Sequence, residues 1–221
     1  ENMDFFKNRH MIPKKCKAVL LPGSGVNLER HPYLEYPDAS QKVHFLFIAR
    51  IMKEKGIDLF LAASRKFTKE RSDVVFDVVG QCDDTRYLEI LEKAQNAGEI
   101  VYHGLQKDVT PFYEKCSCFL YPSYYPEGMS NVLLEAAASG RPIIAADRAG
   151  CRETLEDRVT GFLVPVNDEK AVINATERIL KMNSEERKIM GQHGRKKICK
   201  EFNRELVIQA YLKEIQENMG V

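Results

Sequence analysis

A chain of 221 residues with 44% hydrophobic and 29% charged residues has ordinary globular composition, long enough for one large domain or two small ones. A formal net charge of +1 leaves no basis for a nucleic-acid partner or a membrane-attracting field, and no apolar stretch approaches the ~20 residues of a membrane helix. The chain opens at Glu1 without an initiator Met, so it is expected to be a piece of a longer protein.

In chain order, short apolar runs rich in β-branched and aromatic residues predict strands over 17–21, 43–49, 74–80, 99–104, 117–123, 141–147 and 160–166. Several are too apolar to alternate, as expected of parallel strands covered on both faces. Amphipathic segments between them predict helices over 56–70, 85–98, 108–116 and 131–140. This alternation points to an α/β fold with a Rossmann-like, doubly wound parallel sheet. After Pro165 the pattern changes to three consecutive helices, 168–182, 184–201 and 203–218, with Asp168, Ser184 and Asn203 at the N-cap positions. Ser184 is followed three residues later by Arg187, so no full capping box is expected there. The Gly/Pro/Asn-rich stretch 22–42 reads as a connecting loop. The resulting division is a linker or edge segment at 1–40, a Rossmann-like domain at 41–200 and a terminal helix at 201–221. The six cysteines form no CxxC pair and read as buried free thiols of a cytosolic protein, while the five scattered histidines show no zinc spacing.

The stretch PEGMSNVLLEAAASGRPI, 126–143, carries Glu127 in a Gly-containing loop and Glu135 eight positions later on an Ala/Leu-rich helix. In open α/β sheets, ligands bind beyond the carboxyl ends of strands, beside helix N-termini. A strand ending near Pro122 and a helix beginning at Asn131, with Ser130 as N-cap, would deliver Glu127, Gly128, Met129, Ser130 and Asn131 to that edge. The free N–H groups of the helix start would face the same space and form an anion site. Glu135 in the first turn gains a little from the helix dipole, but its apolar neighbours predict burial, and a buried carboxylate needs a partner.

The block PSYYPEGMSNVLLEAAASGRPIIAADRAGCRETLEDRVTGFLVP, 122–165, resembles the signature region of retaining glycosyltransferases of the GT-B fold, the large group 1 or family 4 class. Glu127 and Glu135 match that family's E-x7-E pattern in spacing and in strand–loop–helix context. A second match is ARIMKEKGID, 49–58, which puts Arg50 and Lys55 in the loop after the strand at 43–49; two cations there would otherwise read as a solvated basic loop. The resemblance covers roughly residues 12–215 and implies the carboxyl-terminal, donor-binding half of such an enzyme.

Carried over residue by residue, it implies that Arg50 and Lys55 hold the donor's diphosphate and that backbone groups of Ser130, Asn131 and Val132 complete its cradle. Glu127, with the Gly128–Met129 backbone, would face the transferred sugar, and Glu135 would accept from the ribose hydroxyls. The base would lie near His103, Gly104 and Leu105. Gly80, which ends VVFDVVG, matches a family glycine where backbone approaches closely, and Gly23 and Gly25 match the loop linking the two halves. Tyr124 and Tyr125 could line the cleft, although aromatic loop residues more often pack, and Glu153 matches a recurrent family Glu while fitting capping or solvent exposure equally well. Met129 and Ser130 stand where many relatives have Phe and Gly, which predicts a differently shaped sugar pocket.

The implied activity is transfer of a sugar from a nucleoside diphosphate, UDP favoured, to an acceptor hydroxyl with retained configuration and no metal or other cofactor. The implied setting is polysaccharide or glycolipid synthesis at the cytoplasmic side, with any peripheral membrane contact made through an amino-terminal acceptor-binding domain that this chain lacks. Alone, the fragment is expected to be inactive. The alternative is a Rossmann-type nucleotide-binding module with a regulatory or interaction role; VHFLFIARIMKEKG supplies one Gly where a dinucleotide fingerprint needs three.

Overall fold

The computed structural model describes residues 2–13, 17–21, 23–38, 42–126 and 128–219, so Glu127 lies outside the described residues. Six strands, β1 (Val43–Ile48), β2 (Val74–Val79), β3 (Val101–Tyr102), β4 (Cys118–Tyr121), β5 (Ile143–Ala146) and β6 (Gly161–Val164), form one parallel sheet in the order β3-β2-β1-β4-β5-β6. The strand order therefore reverses between β1 and β4, and that reversal opens a crevice at the carboxyl ends of these two strands.

Helices α2 (Ile57–Glu70), α3 (Thr85–Asn96), α4 (Thr110–Lys115), α5 (Asn131–Ala138) and α6 (Glu169–Lys181) connect or follow the strands. α1 (Asn2–Asn8), α7 (Ser184–Glu201) and α8 (Arg204–Met219) complete the described elements. Every residue of β4 and β5 is buried, which accounts for their unbroken apolar runs. The doubly wound parallel sheet read from the strand–helix alternation is the one observed.

Some local expectations fail for identifiable reasons. Residues 17–21 form no strand, and Leu20 stays 76% exposed, without the burial that a strand of the sheet would have. The α7 cap is Asn183, one residue earlier than the predicted Ser184. From that position the third residue is Glu186, and a full capping box forms: Asn183 Oδ1 accepts from Glu186 N at 2.9 Å, and Glu186 Oε2 accepts from Asn183 N at 2.7 Å. The Asp168 cap is as expected, with Oδ1 accepting from Ala171 N at 2.9 Å.

The segment 23–38 is held against the sheet domain by named contacts. Arg141, fully buried, donates through Nη2 to the Leu34 and Glu35 carbonyls at 3.2 and 2.8 Å, and Arg195 donates to the His31 carbonyl at 2.8 Å. Val26 bridges Asn203 in parallel: Val26 N donates to Phe202 O at 2.8 Å, and Arg204 N donates to Val26 O at 3.0 Å. Gly25, at φ +64, permits this crossing, because a Cβ there would stand 2.7 Å from Arg204 Cα. Along α8, Val207 is buried, whereas Leu206, Tyr211 and Ile215 are exposed. No helix of the described residues is long and apolar enough to cross a membrane. The described cysteines are free thiols, with Cys116, Cys118 and Cys151 buried.

Candidate functional site

Three cavities meet at the start of α5, and Asn131 lines all of them. The first, about 460 Å³, lies in the crevice between β1 and β4 and is lined by Arg50, Lys55, Tyr121 and the Gly128–Val132 segment. The second, about 230 Å³, holds Glu135 with Arg30, His31 and Arg204. The third, about 780 Å³, runs past Gly23, Met129, Gly150 and Glu153.

The cationic cavity is shaped by two glycines. β1 ends at Ile48, and Arg50 follows Ala49 over the sheet edge. Gly80 lies so close to Ala49 that a Cβ would fall 1.7 Å from its carbonyl oxygen, at a φ of +148 that other residues rarely adopt. Lys55 ends a 3-10 turn, Lys53–Lys55, and Gly56 at φ +83 lets that turn close against Pro122 at the end of β4. Lys55 is buried at 9% exposure. Burial pushes its ammonium below the ordinary lysine value, and Arg50 and Arg148 push the same way. A desolvated ammonium flanked by further cations attracts an anion more strongly than one in bulk water.

The α5 N-terminus supplies the other half of that cavity. By helix geometry the N–H groups of Asn131, Val132 and Leu133 have no intrahelical acceptor. Ser130 is the N-cap by position, but its side chain makes no capping bond. Its amide donates to Gly150 O at 2.9 Å, while its hydroxyl is fully buried without a partner among the described residues. Ser130 therefore has an O–H that can donate, while its backbone amide is already engaged. Glu153 supports the arrangement from behind, accepting from Gly150 N at 2.8 Å.

Glu135 is partly covered, with a quarter of its side chain exposed. Its Oε2 accepts from the buried Tyr113 hydroxyl at 3.4 Å, and His31 Nε2 stands 3.9 Å from Oε1, beyond hydrogen-bond range. Burial pushes the carboxyl above its ordinary value, while Tyr113, Arg30 and Arg204 act in the opposite direction. A half-covered acceptor with unfilled lone pairs suits a pair of hydroxyl donors.

The residues expected near the base stand apart from these cavities. His103 Nε2 is 2.8 Å from Asp77 Oδ1, and His44 Nδ1 is 2.7 Å from Asp77 Oδ2, so the His103 ring is held against β2 and packs edge-on to Phe112 at 4.7 Å. Leu105 is 68% exposed. Gly80, His103 and Leu105 line none of the three cavities around Asn131. Conversely, Arg30, His31 and Arg204 share Glu135's cavity without having been singled out in the sequence. The Val26–Asn203 crossing and the Arg195 bond to the His31 carbonyl bring them there, and no local pattern announces either. No group of three or more His, Cys, Asp or Glu side chains among the described residues is placed to hold a metal ion.

Residues 35–197 match the model of the family described as glycosyl transferases group 1. The chain is 26% identical over 213 residues to the capsular polysaccharide biosynthesis glycosyltransferase CapM of Staphylococcus aureus, covering 89% of this chain and 54% of that protein. It is 26% identical over 225 residues to an N,N'-diacetylbacillosaminyl-diphospho-undecaprenol alpha-1,3-N-acetylgalactosaminyltransferase of Campylobacter jejuni, covering 96% of this chain and 57% of the relative. It thus spans about half the length of the curated relatives it matches. Among solved structures, the sucrose-phosphate synthase of Thermosynechococcus elongatus overlays with a TM-score of 0.80 at 24% identity, over 100% of this chain and 57% of that one. HepE of Anabaena in complex with UDP and glucose overlays at 0.76 with 17% identity, over 87% and 55%. These likenesses establish the shared fold, and the family match covers well over half the sequence: the chain belongs to the group 1 glycosyl transferases.

Proposed function

We propose that this chain is the nucleotide-sugar donor-binding domain of a retaining glycosyltransferase, which moves a sugar from a nucleoside diphosphate to an acceptor hydroxyl. One observation carries the reading: two cavities share Asn131 at the α5 N-terminus, one lined by the cations Arg50 and Lys55, the other holding the carboxylate acceptor Glu135 beside Arg30, His31 and Arg204. A nucleoside diphosphate has two matching ends, an anionic end and a diol end.

Arg50 and Lys55 neutralise the charge that builds on the leaving diphosphate as the sugar–phosphate bond breaks, with the Asn131 and Val132 amides and the Ser130 hydroxyl completing the cradle. Arg50 contributes a planar fork and Lys55 a point charge, so the chemistry needs no metal. Glu135 accepts from the ribose hydroxyls. Glu127, with Gly128 and Met129, faces the sugar, and the base lies toward the loop at His103–Leu105. The acceptor half belongs to an amino-terminal domain outside these residues, and the CapM likeness supports a role in polysaccharide synthesis. UDP is the first nucleotide to test because HepE, which shares the fold, was solved with it.

Thermal unfolding with UDP, GDP or ADP tests the reading. At 100 times Kd a ligand stabilises by about 2.7 kcal/mol, or roughly 5–10 °C for a domain of this size. A matching nucleotide should give that shift with chelator present, and Arg50→Ala or Lys55→Ala should remove most of it. A flat response to all three nucleotides overturns the reading.

A further inference from the structure

His31 and Glu135 share the cavity of about 230 Å³ at the α5 start, with Nε2 standing 3.9 Å from Oε1. Both are held in place by other bonds. Arg195 Nη1 donates to the His31 carbonyl at 2.8 Å and to the carbonyl of Ala138, which ends the helix carrying Glu135, at 2.7 Å. His31 N donates to Asn27 O at 3.0 Å, and Asn27 Oδ1 accepts from Glu29 N and Arg30 N, each at 2.9 Å. Tyr113 donates to the other oxygen of Glu135, Oε2, at 3.4 Å. Among the described residues, neither the His31 ring nor Glu135 Oε1 has a hydrogen-bond partner.

A gap of 3.9 Å is too long for a direct bond, but it fits one oxygen atom between the two groups. Distances of about 2.7 Å to the carboxylate and about 2.9 Å to the ring nitrogen close a triangle on it. That oxygen would donate to Oε1 and accept from Nε2–H, which a hydroxyl does and a carbonyl or an ammonium cannot. Burial pushes the His31 imidazole below its ordinary value, and Arg30 and Arg204 act the same way. At neutral pH the ring is therefore uncharged, carries one N–H and does not pair with Glu135 as an ion.

We propose that His31 is a second reader of the donor's ribose: its Nε2–H donates to the oxygen of the hydroxyl whose hydrogen goes to Glu135 Oε1. This rests on the donor reading above. Calorimetry on the full chain, with UDP and 2',3'-dideoxy-UDP, tests it in wild type, His31→Phe and His31→Ala, each also in a Glu135→Ala background. The readout is the ratio of the two affinities within each variant, because a general loss of site shape lowers both alike. His31→Phe keeps a flat ring without a donor, and His31→Ala leaves room where Phe fills it. Either should reduce the preference for UDP by roughly 2- to 10-fold, the scale of one neutral hydrogen bond, with dideoxy-UDP binding unchanged. In Glu135→Ala the same changes should leave the ratio as it is, because the hydroxyl is no longer oriented toward the ring. An unchanged preference in both variants, or an equal weakening of the two nucleotides, overturns the proposal and leaves the donor reading standing. An undiminished effect of His31→Phe in Glu135→Ala also overturns it. If the wild-type chain binds none of UDP, GDP and ADP, the donor reading itself fails and this inference falls with it.

Discussion

Gly56 and Pro122 touch at a distance that no side chain fits: a Cβ on Gly56 would stand 2.5 Å from the Pro122 carbonyl oxygen. That contact joins the turn carrying Lys55 to the end of β4, so it fixes one wall of the cationic cavity. Gly56 is also at φ +83, where any other residue is strained. Gly56→Ala should lower stability by about 1–3 kcal/mol, a midpoint fall of roughly 2–12 °C at 2–4 °C per kcal/mol. It should also weaken nucleotide binding by displacing Lys55. An unchanged melting midpoint with unchanged UDP affinity would show that the contact does not position the site.

Asp77 sits between His44 and His103 at 2.7 and 2.8 Å. Desolvation raises its carboxyl, but hydrogen bonds and charge from the two histidines outweigh this and hold it below the ordinary carboxylate value. A depressed folded-state value means stability that is fully present above the unfolded value, about 3.9, and is lost as pH falls through the folded one. Asp77→Asn should therefore flatten the acid limb of the melting-temperature profile below about pH 4. Parallel acid limbs in the two proteins would contradict this.

Glu135 has the opposite sign. Its folded-state carboxyl is raised, mainly by burial, so the stability of its protonated form is present below the unfolded value and lost as pH rises through the folded one. At neutral pH the ionised side chain is carried at a cost to stability. Glu135→Gln keeps an acceptor for Tyr113 and should raise the melting midpoint of the free protein while shrinking the UDP-induced shift. This is the exchange of stability for binding expected at a functional site. A lower midpoint for the free variant would contradict it.

The sheet and the crevice at the carboxyl ends of β1 and β4 were legible because strand runs and helix patterns are local. Arg50 and Lys55 could be read as loop residues after β1 for the same reason. The α7 cap was misplaced by one residue because both Asn183 and Ser184 are cap formers; the reciprocal bond with Glu186 decides between them. Arg30, His31 and Arg204 were not legible as neighbours of Glu135. Their placement depends on backbone pairing between Val26 and Asn203, which are remote in sequence and carry no signal of each other.

The most direct test of the central claim compares UDP with 2',3'-dideoxy-UDP on the wild-type chain and on Glu135→Ala. If Glu135 reads the ribose hydroxyls while Arg50 and Lys55 hold the diphosphate, the wild-type chain should prefer UDP by roughly 10- to 100-fold, the scale for hydrogen bonds to a charged acceptor. Glu135→Ala should bind both nucleotides equally, with the affinity the wild-type chain shows for the dideoxy form. An undiminished preference for UDP in Glu135→Ala would contradict the assignment of the two cavities to the two ends of the donor.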